Sequence, residues 1–151
     1  MVSVTLHFRE EGELMLGRQL IPEAIKATPE MTWCGHAGTA AIRLIKTTEE
    51  NDRWEVVART PEGCLVGYAV VAADFDSNVG PVAGVQWFFV LPEYRRGPVV
   101  RDIYRGIITA ARFEELEVLA YTRRLGLGRY ELTYKRIRRS TKDGQENQEG
   151  R

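Results

Sequence analysis

The stretch that most constrains this chain runs from residue 82 to residue 122. It reads "VAGVQWFFVLP", then "EYRRGPVVRDIYRGIITAARFEE", then "LEVLAYT". The first part is a nearly continuous apolar run closed by a proline, as in a strand buried on both faces. In the second part Ile103, Ile107, Ile108, Ala110 and Ala111 form a stripe, and Arg101, Arg105 and Arg112 lie away from most of it. That is the pattern of an amphipathic helix. Pro98 and Asp102 sit in its first turn, where a helix start accepts them. The third part is again strand-like. A strand, a helix and a strand in this order form a right-handed parallel crossover.

The rest of the chain adds strands and two earlier helical segments. "VSVTLHFRE" alternates Val2, Val4, Leu6 and Phe8 on one face and predicts a strand. Leu14, Leu16, Leu20, Ile21 and Ile25 suggest a helix bent or interrupted near Pro22. "PEMTWCGHAG" reads as a loop, and the segment after it as a short helix with Ala41, Leu44 and Ile45 on one side. "RWEVVART" and "CLVGYAVVAADF" flank a tight turn at Pro61, Glu62 and Gly63, which predicts a hairpin. "YELTYKRI" is a last alternating strand after an "LGLG" turn. The predicted class is α/β of the α+β kind: a mixed, mostly antiparallel sheet with one parallel crossover at about 82–122. Residues 1–139 form one domain. The segment 140–151 has no apolar side chain and is expected to be a disordered polar tail.

Charge and cysteine content narrow the function. The net charge is zero, but it is unevenly spread. Residues 1–92 carry seven Lys/Arg against twelve Asp/Glu, and residues 93–139 carry twelve against six, by count along the sequence. The basic part begins at "YRRGP". A solvated basic face accounts for this, and so does an anionic ligand. Aromatic residues are not interleaved with the basic ones, which disfavours nucleic acid. Cys34 and Cys64 match no zinc spacing and make no disulfide framework, so both are taken as reduced and no metal is expected. No apolar run is long enough to span a membrane, and no leader is visible, so a cytoplasmic location is expected.

With "FFVLPEYRRGPVVRDIYRGI" at its centre, this order of elements resembles the GNAT superfamily of N-acetyltransferases. Val90, Pro92, Tyr94 and Arg95 match the first half of that family's strand-to-helix signature, and "TRRLGLGRYELTYKRI" is similar to its terminal segment. The resemblance covers residues 54–137 by pattern and the first fifty only by element order. It implies an acetyl-CoA cofactor whose pyrophosphate lies on backbone N–H groups at the helix start. Phe89, Val90, Arg95, Arg96, Gly97, Val99 and Val100 are the implied cofactor-binding positions. The pantetheine arm would lie where strands 85–90 and 118–122 splay apart, with the thioester near Gln86, Tyr121 and the loop of Cys34 and His36. Tyr130 is the implied candidate to protonate the leaving thiolate, and His36 the candidate base. A lone histidine after a glycine is more often structural.

The chain also departs from the family. Only Gly97 stands where further glycines are expected, and it is followed by Pro98, Val99 and Val100. Pro98 has no N–H to offer. The family's next helix is replaced by a turn, and the central strand offers Gln86 where a glutamate is common. Two readings stay open. One is an enzyme that transfers acetyl from acetyl-CoA to an amine-bearing substrate. The other is a catalytically inactive GNAT-like binding or assembly protein, similar to short GNAT-like chains encoded by tailed phages, with a protein partner or a homo-oligomer.

Overall fold

The structure, a computed structural model, describes residues 1–137. The expected tail at 140–151 and the last two residues of the expected domain lie outside the described residues. The strands are β1 (Ser3–Arg9), β2 (Arg53–Arg59), β3 (Leu65–Asp76), β4 (Gly80–Val90), β5 (Val118–Gly126) and β6 (Arg129–Arg136). The helices are α1 (Ile21–Ala27), α2 (Ala37–Glu49) and α3 (Pro98–Phe113). The six strands lie side by side in chain order, antiparallel throughout except for the parallel pair β4–β5. The crossover through α3 is therefore as predicted, and the sheet is mixed.

Strand alternation divides the core between the two faces. Val56 and Ala58 of β2 pack with Ile103, Ile107 and Ala111 of α3 on one face. Val57 points the other way, to Leu20, Ile25 and Ala40 from the α1 and α2 segments. Ile103 and Ile107 are fully buried, each worth about 1.5–3 kcal/mol of hydrophobic stabilisation. At its far end α3 closes with Leu116 N–H on Ala111 C=O and Glu115 N–H on Arg112 C=O. Glu115 takes the left-handed position (φ 55°) that glycine usually fills there.

One local expectation is sharpened and another corrected. Pro22 marks an interruption, one of the two expected alternatives, and does not bend a helix. It stands in the first turn of α1, where its missing N–H costs nothing, and a separate 3-10 turn at Arg18–Leu20 precedes it. β4 is not buried along its whole length either. Val82, Ala83, Phe89 and Val90 are buried, but Pro81, Gln86 and Phe88 are exposed.

One charged network lies inside the fold. Arg53 and Glu55 of β2 are both fully buried and ion-paired at 2.7 Å. Arg53 also donates to the carbonyls of Glu13 (2.6 Å) and Asn51 (3.0 Å). Glu55 accepts from Leu16 N–H (2.7 Å) and from the Tyr68 hydroxyl (2.6 Å). Burial first, then this carboxylate, push the Tyr68 hydroxyl far above its ordinary value. The network fastens the irregular segment after β1 onto the sheet.

Candidate functional site

The cleft follows from a register slip in β4. Val71 pairs with Val85 and Val70 with Trp87, so Gln86 is an extra residue in the ladder. Such an insertion reverses the faces beyond it and bends the strand. Val85 accordingly packs toward α3, and Trp87 and Phe89 pack toward α1 and α2. The parallel ladder with β5 consists of Ala83↔Leu119 and Gly84↔Ala120 and stops just before the slip. Beyond it β4 and β5 are unpaired, so a cleft opens between 85–90 and 121–126. The separation expected at 85–90 and 118–122 begins further along β5, because Leu119 and Ala120 are still paired. Tyr121 stands at its apex on the α3 face, its ring edge-on to Tyr104 at 6.4 Å. Gln86 is the polar side chain at the slip, and β4 carries no ionisable residue.

The mouth of the cleft is the β4–α3 junction. A 3-10 turn, Pro92–Tyr94, uses the N–H groups of Tyr94 and Arg95 on the carbonyls of Leu91 and Pro92. Gly97 is the N-cap of α3, and no side chain caps this end. The first-turn N–H groups have no partner within the helix, so this end is electropositive. A Cβ added at Gly97 would meet no atom within 4 Å, and its backbone (φ −97°, ψ −164°) is extended. An anion can therefore approach the helix end here. Pro98 removes one donor, leaving Val99 and Val100.

The implied cofactor residues divide by role. Phe89 and Val90 are buried on opposite faces of the sheet, so only their backbone is available to a ligand. Arg95 folds back. Its Nε donates to Val90 C=O at 2.8 Å, and its guanidinium lies 5.4 Å from the Phe89 ring centroid. The Val99 side chain is core, and Val100 packs against the core. Arg101 and Arg105 share Asp102 at 3.6 and 3.9 Å. Arg96 is exposed and has no hydrogen-bond or ion-pair partner among the described residues, which makes it the free cation at the junction.

The two implied catalytic residues are engaged elsewhere. His36 is the N-cap of α2, with Nδ1 accepting from Thr39 N–H at 3.3 Å. Tyr130, on β6, donates its hydroxyl to Glu30 at 2.9 Å. Glu30 belongs to a 3-10 turn, Pro29–Thr32. It also accepts from Arg124 of β5 through two nitrogens (2.8 and 2.9 Å) and from Gly128 N–H at 3.2 Å. Arg124 is the largest cause; helped by the residue's own backbone N–H and the Tyr130 and Gly128 donors, it outweighs the opposing desolvation and holds the Glu30 carboxyl down to about 2. Burial and Glu30 raise the Tyr130 hydroxyl above its ordinary value. Trp33 covers Gly128, whose added Cβ would lie 2.7 Å from the indole. This strap joins the turn before α2 to the tip of the β5–β6 hairpin. Sequence reasoning missed it, because 94 residues separate Glu30 from Arg124.

One surface depression, between β1 and α3, is lined by Asp102 and Arg105, and another lies on α2. Among the described residues no cluster of three His, Cys, Asp or Glu could hold a metal. No helix among them is long and apolar enough to cross a membrane.

No family profile and no curated protein matches the chain. Solved structures do. A Pyrococcus furiosus protein described as an acetyl transferase aligns with TM-score 0.64 at 11% identity, over 84% of this chain and 85% of that one. AAC(6')-Iy, solved with the bisubstrate analogue CoA-S-monomethyl-acetylneamine, aligns with TM-score 0.52 at 14% identity, over 98% and 88%. An acetyltransferase of the GNAT family from Desulfovibrio desulfuricans aligns with TM-score 0.53 at 13% identity, over 80% and 73%. With the parallel crossover, the splayed strands and the helix that starts at their mouth, these likenesses establish that the chain has the GNAT acetyltransferase fold.

Proposed function

We propose that the chain is an N-acetyltransferase that takes acetyl-CoA and transfers its acetyl group to an amine. The observation that carries this reading is the splay at Gln86 directly beside an uncapped helix start with one free arginine. Strands that part beyond a short ladder suit an extended arm, and the helix end suits its phosphates. Val99 and Val100 N–H groups would face the pyrophosphate, with Arg96 beside them. In the reaction the amine nitrogen attacks the thioester carbonyl carbon and the C–S bond breaks. The amine loses one proton and the departing sulfur gains one. Tyr121 is nearer the apex than Tyr130, whose hydroxyl is committed to Glu30.

Isothermal titration with coenzyme A tests the binding half. Arg96→Ala should weaken binding by about one to two orders of magnitude, since a charge-assisted contact is worth roughly 1.5–3 kcal/mol. Gly97→Val should leave the fold intact, because a Cβ there meets no protein atom within 4 Å and the backbone is extended, yet it should abolish binding by filling the approach. Absence of heat with millimolar coenzyme A would overturn the proposal.

A second reading is favoured by one observation. Neither β4 nor His36 offers an uncommitted base at the cleft. A chain that binds coenzyme A but releases no free thiol from acetyl-CoA with any of a panel of primary amines would be a binding module on this fold.

A further inference from the structure

β6 is the last strand of the sheet. β5 pairs one of its edges, and no described residue pairs the other. An open edge is a template for another strand. Its sequence is "RYELTYKR". Tyr130, Leu132, Tyr134 and Arg136 share one face, and Glu131, Thr133 and Lys135 share the face toward α3. Leu132 is 53% exposed and Tyr130 50%.

Two copies of one strand can extend a sheet antiparallel only about a two-fold axis perpendicular to it. That axis preserves the faces, so it must pass through a residue and not between two. Few registers remain. An axis at Glu131 sets two carboxylates against each other. An axis at Leu132 sets Arg129 against Lys135. An axis at Tyr134 shortens the overlap and leaves the carboxylate of Glu131 facing Ile137.

An axis at Thr133 behaves differently. It pairs Glu131 with Lys135 twice, Leu132 with Tyr134 twice, Tyr130 with Arg136 twice, and Thr133 with itself. Each is a favourable cross-strand combination. Glu131 lies across β5 from Arg123 but makes no ion pair among the described residues. Lys135 leans 5.2 Å above the Tyr104 ring, which first through a hydrogen bond raises its pKa, so it stays charged on the same face. The Tyr134 ring is held in place by its hydroxyl on Asp76 at 2.8 Å.

We propose that this edge joins two copies of the chain, β6 to β6, into one continuous sheet with Thr133 on the dyad. Sedimentation of the full chain should show a dimer at tens of micromolar. Glu131→Lys and Lys135→Glu should each weaken it about tenfold or more, and the double exchange should restore it. In a Cys34→Ser, Cys64→Ser background, Thr133→Cys should oxidise to a reducible dimer, because paired Cα atoms lie roughly 4.5–5.5 Å apart, within disulfide reach. Glu131→Cys alone should not cross-link, but mixed with Lys135→Cys it should. A monomer at about 100 µM, a dimer indifferent to both charge reversals, or cross-linking as efficient at 131 alone as at 133 would each overturn the assignment.

Discussion

Glu55 and Glu30 gather the same chemistry in opposite surroundings. Each carboxylate takes an arginine, a tyrosine hydroxyl and a backbone N–H. Each also has nearby a glycine covered by an aromatic ring: Gly17 under Tyr68, and Gly128 under Trp33. Arg53 and Glu55 are fully buried, whereas Glu30 retains 10% side-chain exposure and its neighbours Arg124 and Trp33 are 32% and 64% exposed. Burial decides what the same set of groups does. Inside, removing one member strands an unsolvated charge. At the surface, water replaces the lost partner, and only the position of one hairpin tip is at stake.

The contrast is broken most directly at Glu55. Glu55→Ala leaves the Arg53 guanidinium buried and unpaired, and denaturant unfolding should show a loss of about 3–5 kcal/mol. Gly17→Ala comes next. Its Cβ would lie 2.4 Å from the Tyr68 ring, and Glu55 fixes that ring, so the expected cost is about 1–3 kcal/mol. Gly128→Ala is the surface counterpart. Trp33 is free to swing aside, so the cost should reduce to that of a left-handed alanine at φ 67°, about 1–2 kcal/mol. A larger loss at 128 than at 17 would refute the difference in rigidity. The smallest global effect is expected for Glu30→Gln, with a midpoint of unfolding close to wild type.

Acid sharpens the same comparison. The Glu30 carboxyl is depressed to about 2 from an ordinary 4.5. Its contribution is therefore complete above about 4.5 and disappears as the pH falls through about 2. The Gly128 amide resonance should shift with a midpoint near 2, and in Glu30→Gln that titration should vanish. A midpoint above 4 would show that the strap is open in solution.

Much of the frame was legible because it depends on neighbours in sequence. The hairpin turn at Pro61, Glu62 and Gly63 is in place, with Gly63 at φ 87°. The stripe through Ile103, Ile107 and Ala111 gave α3, and handedness gave the crossover. The site was less legible. Arg95 and Arg96 read alike as adjacent basic residues, yet one is spent on Val90 C=O and the other has no partner among the described residues. His36 looked like chemistry and caps a helix. The slip at Gln86 leaves no mark in the apolar pattern, because residues on either side of it are hydrophobic whichever face they meet.

The two-pair seam between β4 and β5 bears on how the molecule comes apart. β2 to β4 form a meander of adjacent hairpins, whereas β5 joins β4 through Ala83, Gly84, Leu119 and Ala120, closing a longer connection through α3. Few ladder hydrogen bonds hold the β5–β6 hairpin to the rest, and side chains add to them: Leu119 in the core, the Tyr134 hydroxyl on Asp76, and the Glu30 strap. Amide exchange should then reveal two tiers, with β5 and β6 opening in a partial excursion below the free energy of global unfolding. In folding, the short loops of the β2–β4 meander close early, and the parallel seam, which has to wait for α3, closes after them.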